Sequence, residues 1–431
     1  MEKEAKHCSF CGIEASVSVP MIAGTEGLIC EACVTLASQV VSSWGKKKAL
    51  TEMEMSLPKP LEIKSLLDQY VIGQPLAKEI LAVAVYNHYK RLRHESGKTG
   101  SLNKLDEGLE IGKSNVLLIG PSGTGKTLLA STLAKIVGVP FAVADATTLT
   151  QAGYVGDDVE NILARLLDIA EGNVSKAEWG IVYIDEVDKI ARSPEQAFGT
   201  RDVSGEGVQQ ALLRLVEGAS IKVPNKSKRK DPSSGDHIMV DTRNILFIAG
   251  GAFPGLEKHV EKRLQPPKLE IGFHAEVADK QEKPSLETLL NATQPDDLKR
   301  FGLIPEFIGR FPILAPLEPL DVDALIQVLT EPKNALVKQY QQLFAFDDIE
   351  LEFTQDALVE IAEKAIARNT GARGLRGIME NALRHSMFNL PSRPNIQRCI
   401  VNAGVIRGEE ELQIVEQDAS KNTPLIREAA G

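Results

Sequence analysis

"NVLLIGPSGTGKT", Asn115 to Thr127, decides the fold: an apolar run leads straight into Gly-x-x-x-x-Gly-Lys-Thr, and the helical pattern "LLASTLAKIVG" follows. A strand, a glycine-rich turn and a helix in that order form a phosphate loop, because backbone N–H groups freed by glycine curl around phosphate oxygens while the helix N-terminus adds its dipole. Gly120, Pro121, Ser122, Gly123, Thr124 and Gly125 would make that cradle, and Leu128, which opens the helix, is expected among the nucleotide-binding residues with them. Lys126 would reach the β- and γ-phosphates of ATP, and the Thr127 hydroxyl would hold Mg2+.

A second apolar strand, "GIVYIDEVDKI" (Gly180 to Ile190), ends in Asp185-Glu186. An aspartate at a strand tip beside a phosphate loop completes the Mg2+ shell, and a neighbouring glutamate can orient and deprotonate the attacking water. Strands at about 115–120, 141–144, 181–184 and 245–249 alternate with helical patterns, which predicts an α/β fold with a parallel sheet covered on both faces and the ATP site at the strands' C-terminal ends.

The front of the chain has different chemistry. Cys8 and Cys11 form one Cys-x-x-Cys and Cys30 and Cys33 a second, the spacing of a structural four-sulfur Zn2+ site with no open position for water. So short a segment buries little apolar surface, and metal ligation supplies much of its folding energy. "GKKKALTEMEMSLPKP" (Gly45 to Pro60) then reads as a linker, whereas Cys399 reads as a core thiol.

Composition bounds the rest. The 431 residues, 43% hydrophobic and 25% charged, suit a globular protein of two or three domains. No run of about 18 apolar residues and no signal segment is present, so a cytosolic, membrane-free protein is expected. Lys plus Arg at 49 against Asp plus Glu at 59 gives a net charge of −10, which argues against nucleic acid as a partner of the whole surface.

The order of phosphate loop, Asp-Glu strand, "FGLIPEFIGRFP" and "NTGARGLR" resembles the AAA+ ATPases, and with the zinc module and "GYVG" it is similar to those members of the family that unfold proteins and feed a peptidase. The resemblance implies a large ATPase domain (63–316), a small α-rich lid with some strand (317–416), a zinc module (1–45), a linker (46–62) and a disordered tail (417–431). It further implies a homohexamer with ATP between subunits, tagged or unfolded proteins as substrates, a peptidase partner, and adaptors bound through the zinc module. Val71 and Ile72, in "YVIGQ", match the segment against the adenine; Arg310, in "FIGRFP", matches the arginine finger to the neighbouring subunit; Arg373, in "GARGLR", matches the lid's sensor arginine. Tyr154 and Val155 match the pore loop that grips substrate, Arg201 a second pore loop, and Ile271, Gly272 and Phe273 the tripeptide that docks on the peptidase.

Two departures stand out: Asp231 replaces a family histidine at the pore entrance, and the strand "NILFIAGGAF" ends in Ala249-Gly250-Gly251 where many members carry a polar sensor. In the lid, Asp321 and Thr354 are expected to cap helices, and a further helix should begin after Gly371. A different class of function, remodelling of nucleic acid by a related ring, remains open through the basic run Lys226 to Lys230.

Overall fold

The computed structural model describes residues 7–16, 19–25, 27–37, 57–95, 111–150, 157–192, 205–224, 237–264, 284–393 and 395–416. Tyr154, Val155, Arg201, Asp231, Ile271, Gly272, Phe273, the basic run 226–230 and the tail 417–431 lie outside them. The chain divides into two units, Met1–Leu57 and Pro58–Gly431.

In the first unit an antiparallel pair, Met21–Ala23 with Leu28–Cys30, sets Met21 opposite Cys30. The turn at Cys8 closes on itself, with Gly12 N–H donating to the Cys8 carbonyl at 2.9 Å, and Ser9 N–H donates to the Leu28 carbonyl at 2.7 Å. Those bonds draw the two Cys-x-x-Cys turns together.

The second unit begins with a helix, Pro60–Asp68, whose first residues fall at the end of the stretch read as linker. Pro60 is its first residue, where proline's missing N–H costs nothing, and Lys59 N–H donates to Glu62 Oε2 at 2.8 Å. The long helix Pro75–Glu95 follows.

The sheet that positions the site has five parallel strands in the order Ile313–Pro316, Val116–Ile119, Leu246–Gly251, Ile181–Asp185, Phe141–Asp145. Every residue of Val116–Ile119 and Leu246–Gly251 is buried, as strands covered on both faces require. The helix Lys126–Val137 buries Leu129, Ala130, Leu133 and Ala134, one stripe of a 3.6-residue period, and stops at Gly138 with φ 76°. The four strands expected from the sequence are all present. The fifth, Ile313–Pro316, went unread because prolines at 312 and 316 bracket it; as an edge strand it tolerates them.

Beyond Leu317 the chain forms a smaller body around its own core, with Leu325, Leu329, Ile361, Leu375, Met379, Leu383, Cys399 and Val401 all buried. Four helices, Val322–Thr330, Leu336–Ala345, Gln355–Ala367 and Ala372–Asn389, pack with a three-stranded sheet in which Ile396–Val401 lies parallel to Glu350–Phe353 and antiparallel to Gln413–Glu416. Asp321 caps the first helix by accepting the Ala324 N–H at 2.7 Å. Thr354 holds the N-cap position of the third without a side-chain cap bond; its hydroxyl donates instead to the Val401 carbonyl at 3.0 Å and pins the helix start to the sheet.

Candidate functional site

The turn after Ile119 carries Gly120 to Gly125 across the end of the sheet, with Gly120 N–H donating to the Gly251 carbonyl at 3.3 Å. Gly125 caps the following helix at φ 93°, a left-handed conformation that suits glycine. Lys126 folds back over the loop, and its Nζ donates to the carbonyls of Gly120 at 2.6 Å and Pro121 at 2.9 Å. Thr127 Oγ1 donates to Asp185 Oδ2 at 2.9 Å, so the hydroxyl and carboxylate expected to share Mg2+ already meet across 58 residues of chain.

Asp185 is held on its other oxygen, where Oδ1 accepts from Tyr183 Oη at 3.1 Å and from Glu186 N–H at 2.9 Å. Glu186 has φ 58°, a left-handed conformation rare outside glycine and costly by about 1–3 kcal/mol. The residue read as the base therefore sits at a strained backbone position, on the turn that follows the strand Ile181–Asp185. Burial lowers the Lys126 ammonium to about 8, although Asp185 and Asp188 oppose the shift. Tyr183 is pushed upward by its burial and keeps its proton.

These groups surround a cleft of about 440 Å3 lined by the phosphate loop, Lys126, Thr127, Asp185, Glu186 and Asp188 on one side and by Ala372 and Arg373 of the small body on the other. The small body touches the loop backbone to backbone, with Ala372 N–H donating to the Gly123 carbonyl at 3.2 Å. A Cβ on Gly123 would stand 2.5 Å from the Thr370 carbonyl oxygen, so only glycine permits this approach.

Val71 is buried and Ile72 half-buried. A Cβ on Gly125 would lie 4.0 Å from Val71 Cγ1, which puts that valine beside the loop. The segment is anchored twice: Lys78 Nζ donates to the Val71 carbonyl at 2.6 Å, and Gln74 both donates to the Glu318 carbonyl and accepts from the Glu318 N–H, each at 2.8 Å. Arg310 does not join the cleft of its own chain. Its guanidinium pairs with Glu217 Oε1 at 2.7 Å on a half-exposed surface, while its carbonyl accepts from Asn115 Nδ2 at 2.8 Å. Sequence reasoning missed Tyr183, Asp188, Gln74 and Glu217; only Asp188, the second aspartate in "DEVDK", offered a signal.

In the first unit the Sγ atoms of Cys8, Cys11, Cys30 and Cys33 all lie within 4.8 Å of one another. A tetrahedral shell with Zn–S bonds of about 2.3 Å sets sulfurs about 3.8 Å apart, and the Cys11 and Cys30 sulfurs stand 3.6 Å apart. Burial raises the Cys8 thiol, but backbone N–H groups of Cys11, Cys30 and Phe10 outweigh it and bring it down to about 6, whereas hydrogen bonds to the Cys11 and Cys30 sulfurs push the Cys33 thiol up to about 12, so the metal-free sulfurs hold their protons unequally. The four residues fit zinc.

A five-stranded parallel sheet, a phosphate loop answered by an acidic strand tip, and a helical lid seated on that loop define an AAA+ ATPase. Residues 112–314 match the AAA domain (Cdc48 subfamily) family, residues 320–401 the C-terminal, D2-small domain of ClpB protein, and residues 6–43 the ClpX C4-type zinc finger. The chain is 63% identical over 416 residues to the ATP-dependent Clp protease ATP-binding subunit ClpX 3 of Methylococcus capsulatus, covering 96% of this chain and 95% of that one. It is 57% identical over 403 residues to the ATP-dependent Clp protease ATP-binding subunit ClpX of Azotobacter vinelandii, covering 93% and 90%. The chain belongs to the ClpX family. It is an ATP-hydrolysing protein whose cofactors are ATP, Mg2+ and Zn2+.

Proposed function

We propose that this chain is an ATP-driven protein unfoldase and translocase that works in the cytoplasm as a homohexamer and delivers tagged or unfolded substrates to the ClpP peptidase, with adaptors recruited by the zinc module. The observation that carries the reading is the bond from Ala372 N–H to the Gly123 carbonyl, because it makes the lid a direct reader of the phosphate loop. No helix among the described residues is long and apolar enough to cross a membrane.

In this reading Lys126 leaves the Gly120 and Pro121 carbonyls for the β- and γ-phosphates, and the loop N–H groups take the remaining oxygens. Thr127 and Asp185 would hold Mg2+, which when bound would supply positive charge against the phosphoryl oxygens. Glu186 orients a water and takes its proton as the water oxygen bonds to the γ-phosphorus and the bond to the bridging oxygen breaks, with the electron pair leaving on ADP. Arg373 faces the same nucleotide from the lid. Arg310 releases Glu217 to reach the nucleotide of a neighbouring subunit, where a planar, permanent charge stabilises the transferring group. Val71 and Ile72 pack on the adenine.

Tyr154 and Val155 supply the grip on the translocating chain, since an aromatic offers broad contact to any side chain. Arg201 adds a second pore contact, and Ile271-Gly272-Phe273 docks on the peptidase through its two apolar anchors. The nucleic-acid reading rested on the run 226–230, and no observation among the described residues favours it.

The test is loss of fluorescence from a degradation-tagged, stably folded fluorescent protein with ATP and ClpP, comparing the parent chain with Tyr154→Ala while ATP turnover is followed. Unfolding by the parent, with turnover but little unfolding by the variant, is the expected result. Turnover by both with the substrate untouched would overturn the assignment for that tag.

A further inference from the structure

The strand Leu246–Gly251 ends at the cleft without a polar side chain, and the structure accounts for its two glycines. A Cβ on Gly250 would collide with Tyr183 Oη, and one on Gly251 would stand 2.6 Å from Phe253 Cε2 and 2.7 Å from Asp188 Oδ1. The volume of a sensor side chain is therefore filled from the adjacent strand and the turn beyond it. Tyr183 spends its hydroxyl proton on Asp185. Asp188 spends one oxygen on the backbone, its Oδ1 accepting the Ala252 N–H at 3.1 Å and fixing the chain just past the strand.

The other oxygen meets only a long ion pair. Asp188 Oδ2 is buried and has no hydrogen-bond partner among the described residues. The Asp188 side chain is 2% exposed, and the ammonium of Lys189, itself 54% exposed, stands 3.8 Å from Oδ2, beyond hydrogen-bond range. A buried carboxylate oxygen without a hydrogen bond is costly, and such an atom in a native fold calls for an explanation, which a donor brought by a ligand supplies. Asp188 lines the same cleft as Lys126, Thr127 and Asp185. Phosphate oxygens cannot serve, being acceptors themselves. The ribose hydroxyls and adenine amine belong to the end of the nucleotide read against Val71. The donor left to enter with the nucleotide is water bound to its Mg2+, whose O–H groups point outward from the ion.

We propose that Asp188 is a positioning residue for ATP hydrolysis, taking the place of the missing sensor side chain: Oδ1 fixes the strand end through Ala252, and Oδ2 accepts from a water carried by the Mg2+-nucleotide. The inference rests on the reading of this cleft as the Mg2+-nucleotide site.

The experiment follows binding of a fluorescent ATP analogue to the full chain as Mg2+ is titrated, and again in EDTA, for the parent and Asp188→Asn. The carboxamide keeps an oxygen for Ala252 and presents a donor where Oδ2 stood. The Mg2+ concentration for half-maximal binding should rise about tenfold in the variant, the scale of one hydrogen bond to a charged group, while binding in EDTA and the melting temperature stay at the parent's values. An unchanged Mg2+ dependence overturns the proposal, as does an equal loss of binding in EDTA with a fallen melting temperature, which would make Asp188 merely structural. A parent that shows no Mg2+-dependent binding overturns the reading of the cleft as well. Should Asp188→Asn fail to fold, Gly251→Ala crowds the carboxylate, and the Phe253 ring beside it, without removing the charge, and the same rise in Mg2+ requirement with binding in EDTA unchanged is expected.

Discussion

At Lys126, burial and phosphate chemistry pull in opposite directions. Burial holds the free ammonium at about 8, and the phosphates of a bound nucleotide would restore its charge. The protonated form binds, so above about pH 8 binding must take up a proton, and the dissociation constant of Mg2+-ATP should climb by up to about tenfold per pH unit. Titrating a fluorescent nucleotide between about pH 7 and 9.5 measures it, and a flat profile would show that the lysine does not meet the phosphates. Residues of this kind were legible because motif chemistry ties their type to their spacing: Thr127 and Asp185 do meet at 2.9 Å. Tyr183, Asp188 and Gln74 were not. The last two bond to backbone groups 64 and 244 positions away, which leaves no local trace in the chain.

Among the elements, two caps that look equivalent in sequence act differently. Asp321 makes its bond to Ala324 N–H, so Asp321→Ala should lower unfolding stability by about 1 kcal/mol, read as a lower urea midpoint at constant slope. Thr354 ties two elements together, and its contribution belongs to the sheet contact. Four of the five main strands were readable from apolar runs flanked by helical periods. The fifth was hidden because the signals that normally deny a strand, prolines at both ends, are harmless at an edge whose outer hydrogen-bonding side has no partner strand among the described residues. Pro60 misled in the other sense, a breaker of helices that starts one.

For the whole molecule, the two units draw on different sources of stability. Among its described residues the first has little apolar burial and four sulfurs set for a metal; the second has extended cores of its own. Removing zinc with a chelator should abolish hydrogen-exchange protection of residues 7–37 while ATP turnover by the chain persists. Loss of turnover in step with protection would tie the two units into one folding unit. Within the second unit, the reciprocal bonds between Gln74 and Glu318 join the segment beside the phosphate loop to the stretch leading into the lid. Gln74 contributes its side chain, whereas Glu318 contributes only its peptide N–H and carbonyl. Substitution tolerance across this pair should therefore be one-sided: almost any residue at 318 leaves the join intact, proline excepted, whereas at 74 even glutamate removes a donor. A saturation library scored for survival would find one position permissive and its partner nearly fixed, although the two share the same pair of bonds.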